Sequence, residues 1–197
     1  MSSENTGLIY NRNMNKIKLY SEGKVAMVHS HFSADCDYLD RYCKAVGQNF
    51  AFRHSHQMTP KNYTHLLAQL GFNRMSSLFL YCNTIVAGFE KEIVDGKSIE
   101  VPKLYSVSFG GCFNEENIVA SGTSDGFTMS CLSSFIGNKH LANNDRTFVD
   151  EKDAVEIATT ILQATSCKET SAGDKGHIAI IRPEGNIKQF EIDLKND

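Results

Sequence analysis

Strand-forming and helix-forming segments do not alternate singly along this chain; they come in blocks, and that blocking limits the available folds more than any other feature. Lys16–Tyr20 and Val25–Ser30 read as short strands around the tight turn Ser21-Glu22-Gly23-Lys24, which makes a hairpin. Cys36, Leu39, Cys43, Val46 and Phe50 then recur at helical spacing. They predict a helix over Ala34–Phe50, with Ser33 as N-cap and Asp35 and Asp37 in its first turn. After the polar loop Arg53–Met58, Thr59 and Pro60 open a second helix. Its apolar face is Tyr63, Leu66, Leu67 and Leu70, and Gly71 is expected to end it.

The nearly unbroken apolar run Leu78–Gly88 predicts a strand buried on both sides. Glu90–Pro102 is charged and contains Asp95-Gly96, so it reads as a hairpin loop leading to a strand over Lys103–Phe109. Gly110-Gly111 then turns the chain into a short strand at Asn117–Ala120. Helices over Asp125–Phe135 and Glu151–Ser166 follow, separated by a polar loop, Ile136–Thr147. Asp150 caps the latter helix, and Ala154, Ile157, Ala158, Ile161 and Leu162 are its expected core face. Two strands, His177–Arg182 and Ile187–Leu194, close the chain around the turn Pro183-Glu184-Gly185-Asn186.

A parallel βαβ sheet needs a helix between successive strands, and paired helices and hairpins reject it. The order β-β-α-α-β-β-β-α-α-β-β fits an α+β chain: antiparallel sheets covered by helix pairs, in a four-layer α-β-β-α sandwich. No repeat, low-complexity stretch or linker interrupts the 197 residues, so one domain over 1–197 is expected.

Composition removes several function classes. Lys and Arg number 20 against 23 Asp and Glu, a net charge of −3, so there is no basic field for nucleic acid. No apolar run is long enough to span a membrane, and the polar start MSSENTGLIYNRNMNK has no secretory signal core. The six cysteines form no CxxC pair, and four sit in apolar-patterned segments, so reduced packing residues are expected. His29/His31 and His54/His56 are HxH pairs, and alternate histidines on a strand share a face. A structural zinc site needs four ligands at recognisable spacing, and no such set is present, so neither metal nor cofactor is expected.

Five stretches in this order carry a resemblance that covers nearly the whole chain. They are Phe32-Ser33-Ala34-Asp35-Cys36 at a strand-to-helix junction, Tyr81–Phe89 as a central strand, and Leu104–Gly111 as its partner and turn. Val119–Thr123 leads into the third helix, and Ala172–Ile181 follows the fourth. Together they resemble the beta subunits of the 20S proteasome, which have the N-terminal nucleophile hydrolase fold. Asp35-Cys36, Asn83–Gly88, Ala172-Gly173-Asp174 and the ending Asp193–Asp197 lean to the type-6 beta subunits, and Ser121–Asp125 to type 3.

The resemblance implies a chemistry that can be checked residue by residue. Active members use an N-terminal Thr as nucleophile, with its own amine as base, a Lys, two Asp, two Ser and a backbone oxyanion site. The chain opens Met1-Ser2-Ser3, with no Thr, and the resemblance begins past the family's first two strands and their Asp. Lys16 matches the catalytic Lys and Ser121 the supporting Ser. The oxyanion position, usually Gly, falls at His31, and the later Asp and Ser fall at Glu169 and Ala172. The sandwich is thus expected to lack its first two strands and to have no catalytic residues, with Lys16 and Ser121 as vestigial matches. The implied function is a non-catalytic structural subunit of the 20S core, in the beta ring that walls the chamber degrading ubiquitinated proteins. Its partners would be beta subunits of its own and the opposing ring, alpha-ring subunits and assembly chaperones, in cytoplasm and nucleus. The alternative is an active threonine protease or a free-standing amidohydrolase of the same fold.

Overall fold

The computed structural model describes residues 14–94, 96–140, 150–169 and 173–194. Their element order is β1 (Ile17–Tyr20), β2 (Val25–His31), α1 (Ser33–His54), α2 (Pro60–Arg74), β3 (Cys82–Val94), β4 (Lys97–Val107), β5 (Phe113–Glu115), α3 (Asp125–His140), α4 (Glu151–Lys168), β6 (Lys175–Ile181) and β7 (Ile187–Asp193). The chain forms two compact units. The larger comprises Lys16–Thr123 and Ala179–Lys188; the smaller includes Ser124–Ile178 and the chain from Gln189.

The larger unit is a five-stranded antiparallel meander, ordered β1-β2-β3-β4-β5, with α1 and α2 packed on it. Leu39 and Cys43 of the α1 stripe are fully in the core, with Cys36, Val46 and Phe50 packed against it. They meet Val25 and Met27 of β2, Val86 of β3, Tyr105 and Val107 of β4, and Tyr63 and Leu67 of α2. α2 starts as expected: Pro60 is its first residue, and Thr59 Oγ1 accepts from the Asn62 N–H at 3.3 Å.

Several boundaries differ from expectation. Ser33 lies inside α1, Phe32 occupies the cap position without a side-chain bond, and the helix runs on to His54. Gly71 does not end α2, which continues to Arg74. A Cβ at Gly71 would stand 3.0 Å from both the Gly111 nitrogen and the Phe109 oxygen. The glycine there permits a close approach of helix and turn, so it is no stop signal. β3 begins at Cys82, leaving Leu78 71% exposed, and its residues alternate buried and half-buried only from Cys82 to Phe89; the doubly buried strand is β2. Glu90–Pro102 is not a loop: β3 and β4 pair in unbroken register from Thr84↔Val107 to Val94↔Lys97. Gly96, at φ +75°, makes the expected turn, while Asp95 lies outside the described residues. Asn117–Ala120 is not a strand; β5 takes the β4 edge earlier, with Phe113 opposite Val107.

In the smaller unit α3 packs on α4. α3 continues to His140, past the expected start of the loop, whose remainder lies outside the described residues. Asp150 caps α4 as expected, accepting from the Glu151 N–H at 2.8 Å. Ile157 and Ile161 are buried, but Ala154 is exposed. The turn Pro183–Gly185, which belongs to the larger unit, connects β6 to β7, and the Arg182 N–H donates to the Asn186 oxygen at 3.0 Å.

Candidate functional site

The register Ser30↔Asn83 and His31↔Cys82 brings one end of β2 beside the start of β3. At His31 the backbone turns to φ +85°, a left-handed conformation that a residue with a side chain adopts at a cost. The chain thereby leaves the sheet. The Phe32 N–H donates to the Tyr81 oxygen at 3.1 Å, and α1 begins at once. Asp35 in its first turn accepts from the Tyr81 N–H at 2.8 Å. The exposed His31 side chain lies with Nε2 3.1 Å from Asn83 Nδ2 and its ring 4.9 Å from that of Tyr81. Asn83 Oδ1 accepts from the Phe109 N–H at 3.1 Å, tying this corner to the turn after β4. Ser30 Oγ and Ser121 Oγ are 2.6 Å apart.

The residues matched by sequence are thus partly assembled. Lys16, His31 and Ser121 belong to the larger unit. Lys16 stands exposed just before β1, where its charge helps to lower the Cys36 thiol pKa, the larger cause being a hydrogen bond from Cys82. Glu169 follows α4 in the smaller unit, in an extended conformation. Met1, Ser2, Ser3 and Ala172 lie outside the described residues. Sequence reasoning missed Ser30 and Asn83 as organisers of this corner. Asn83 had a signal, being a lone amide in an apolar run; Ser30 had none.

A hydroxyl nucleophile needs a base within hydrogen-bond reach. Ser121 meets the hydroxyl of Ser30. A second chain does have the form of hydroxyl, imidazole and acid. Thr84 Oγ1 lies 2.9 Å from His29 Nδ1, His29 Nε2 lies 3.4 Å from the Tyr20 hydroxyl, and Tyr20 donates to Asp40 Oδ1 at 2.6 Å. Burial brings the His29 pKa down to about 4, so it is neutral near pH 7. Thr84 is 2% exposed and His29 5%, so no substrate reaches them, and the chain satisfies polar groups inside the core. The two histidine pairs have different settings. His29 is in the core while His31 is outside, and His54 and His56 flank the Phe50 ring at 4.5 and 5.1 Å. Among the described residues no three His, Cys, Asp or Glu are grouped to hold a metal.

The family model described as "Proteasome subunit" matches residues 2–181. This chain belongs to the proteasome subunit family. The helices and antiparallel sheets of its two units agree with the α+β sandwich expected of that family. A "Probable proteasome subunit beta type-6" from Encephalitozoon cuniculi (strain GB-M1) is 22% identical over 191 residues, covering 96% of this chain and 61% of the relative. A "Proteasome subunit beta 2" from Aeropyrum pernix is 22% identical over 184 residues, covering 93% of this chain and 74% of the relative. Both relatives carry beta names, so it is beta-type members of the family that this chain matches. The chain spans less than two thirds of the first relative's length.

Proposed function

We propose that the chain is a non-catalytic beta subunit of a 20S proteasome core, taking the place of a type-6 subunit in the beta ring. On this reading it folds as one domain, works in cytoplasm and nucleus, and helps to wall the chamber that degrades ubiquitinated proteins. Neighbouring beta subunits, the opposing ring, the alpha ring and assembly chaperones are its partners.

The observation that carries the proposal is His31. Its side chain, held against Tyr81 and Asn83, occupies the position where an active member keeps a glycine backbone clear for a substrate carbonyl. The pairing of Ser121 with Ser30, a hydroxyl and not a base, adds to this. Phe52, Phe72 and Leu78, 89%, 70% and 71% exposed, supply apolar surface suited to burial by neighbours.

The test is affinity purification of the tagged chain from cells, followed by treatment with a threonine-reactive epoxyketone. Expected is co-purification in a ring-sized particle with other beta subunits, and no adduct on this chain. An epoxyketone adduct at its N-terminus would overturn the non-catalytic reading. Recovery as a monodisperse monomer with a cooperative melt would overturn the structural role.

A further inference from the structure

We propose that Cys36 and Cys82 form a reversible intramolecular disulfide when the protein meets a peroxide, making this pair a redox modification site. The site is built by the register of the sheet. His31 pairs with Cys82, the chain leaves β2 at His31, and α1 starts two residues later. The Cys36 N–H closes the first helical turn on the Phe32 oxygen at 3.0 Å, and the Cys36 side chain reaches the first residue of β3. The two sulfur atoms are 3.3 Å apart although the residues are 46 positions apart in sequence. Closing to a bond of ~2.05 Å requires a shift of little more than 1 Å, within reach of side-chain rotation.

The two thiols have unequal environments, which divides the labour. Cys36 is half-exposed and Cys82 is buried. The hydrogen bond from Cys82, assisted by the Lys16 ammonium, favours the Cys36 thiolate, while that same bond and burial hold the Cys82 proton on. Cys36 is therefore the attacking sulfur. Its thiolate displaces hydroxide from the peroxide O–O bond and becomes a sulfenic acid. The Cys82 sulfur then attacks that sulfenic sulfur, the S–S bond forms, and its oxygen leaves as water. In total two thiols and one hydrogen peroxide give one disulfide and two waters, and two equivalents of a small thiol restore the two cysteines by exchange, being oxidised to their own disulfide. The other four cysteines include the exposed Cys112 and Cys167, which have no such neighbour among the described residues.

The inference does not rest on the proteasome reading. The full chain, in whatever assembly it is purified, would be treated with hydrogen peroxide, alkylated, and mapped by mass spectrometry without reduction. The expected result is loss of two of the six alkylatable thiols and a Cys36–Cys82 cross-linked peptide that dithiothreitol removes. In Cys82→Ala the expected product is a dimedone-trapped sulfenic acid at Cys36. Should that variant fail to fold, dimedone competition on the unaltered chain serves instead, with Cys36 labelled ahead of Cys112 and Cys167. Oxidation that follows exposure alone, beginning at Cys112 and Cys167 and leaving no Cys36–Cys82 peptide, would overturn the proposal.

Discussion

In the larger unit one continuous core runs from Tyr20 through Met27, Leu39, Tyr63 and Val86 to Val107. In the smaller, the buried apolar side chains among the described residues are Ile157, Ile161, Ile178 and Leu194. Polar groups divide the same way. Ser21, His29, Ser30, Thr64 and Thr84 are buried in the larger unit, and each has a partner. Ser124 Oγ and Ser166 Oγ, in the smaller, have none among the described residues. A buried hydroxyl without a partner costs free energy that a bonded one recovers. The smaller unit therefore depends more on a few single contacts: the Asp150 cap, the contact of Thr128 with Thr165 at 3.4 Å, and the Lys168 ammonium over the Phe127 ring at 4.3 Å. A unit with few buried apolar contacts should open first.

The largest effect expected is at Met27, which is fully buried. Met27→Ala should destabilise by about 2–5 kcal/mol in urea unfolding, because the crowded site cannot collapse. Ile161→Ala should fall at or below the low end of that range, since half-exposed neighbours can relax around it. Equal losses would break the contrast between the units.

Acid should act mainly through the larger unit. The His29 pKa lies near 4 in the fold against 6.5 when exposed, so the unfolded chain binds the extra proton between those values. That contribution to stability is complete above pH 6.5 and is lost as pH falls towards 4, about 3 kcal/mol in all. Melts from pH 7 to pH 4.5 should show the loss, and His29→Gln should flatten it; an unchanged slope would remove His29 as the cause.

Gly111 sits at φ +83°, and a Cβ there would stand 2.4 Å from the Ala68 oxygen. Gly111→Ala should cost about 1–3 kcal/mol, whereas a neutral result would mean that α2 and the turn can separate freely. The smallest pair of effects sharpens the comparison most. Ser121→Ala should cost up to about 1 kcal/mol, since it removes the 2.6 Å partner of Ser30 and leaves that hydroxyl only its 3.4 Å bond to the Asn83 oxygen, and Ser166→Ala should be neutral or slightly stabilising. A sizeable loss for Ser166→Ala would show that its hydroxyl is satisfied after all.

Much of the fold was legible because it is written locally. The order of seven strands and four helices follows from apolar period, from Thr59-Pro60 and Asp150 at helix starts, and from glycine turns. Element lengths were not legible where a partner sets them. Glu90, Lys91, Glu92 and Lys97 resemble loop residues, yet each lies in a long two-stranded ribbon whose polar side chains can face solvent. Lys103 even bridges Glu92 and Glu115 at 2.8 Å each. The candidate site was legible only as a set of positions. Lys16, His31 and Ser121 could be named from the chain, but the pairing of Ser121 with Ser30 joins residues 91 apart.

Sequence by itself thus determined the blocked order of elements, the family and the residue types at the matched positions, because periodicity, caps and side-chain identity are properties of short segments. Tertiary structure alone decided that Gly71 is a contact rather than a stop, that Asn117–Ala120 yields the sheet edge to β5, and that His31 takes a left-handed backbone. It alone also set Cys36 against Cys82. Each of these depends on which distant backbone arrives at a given place, and strand register sets that through hydrogen bonds between residues far apart in the chain.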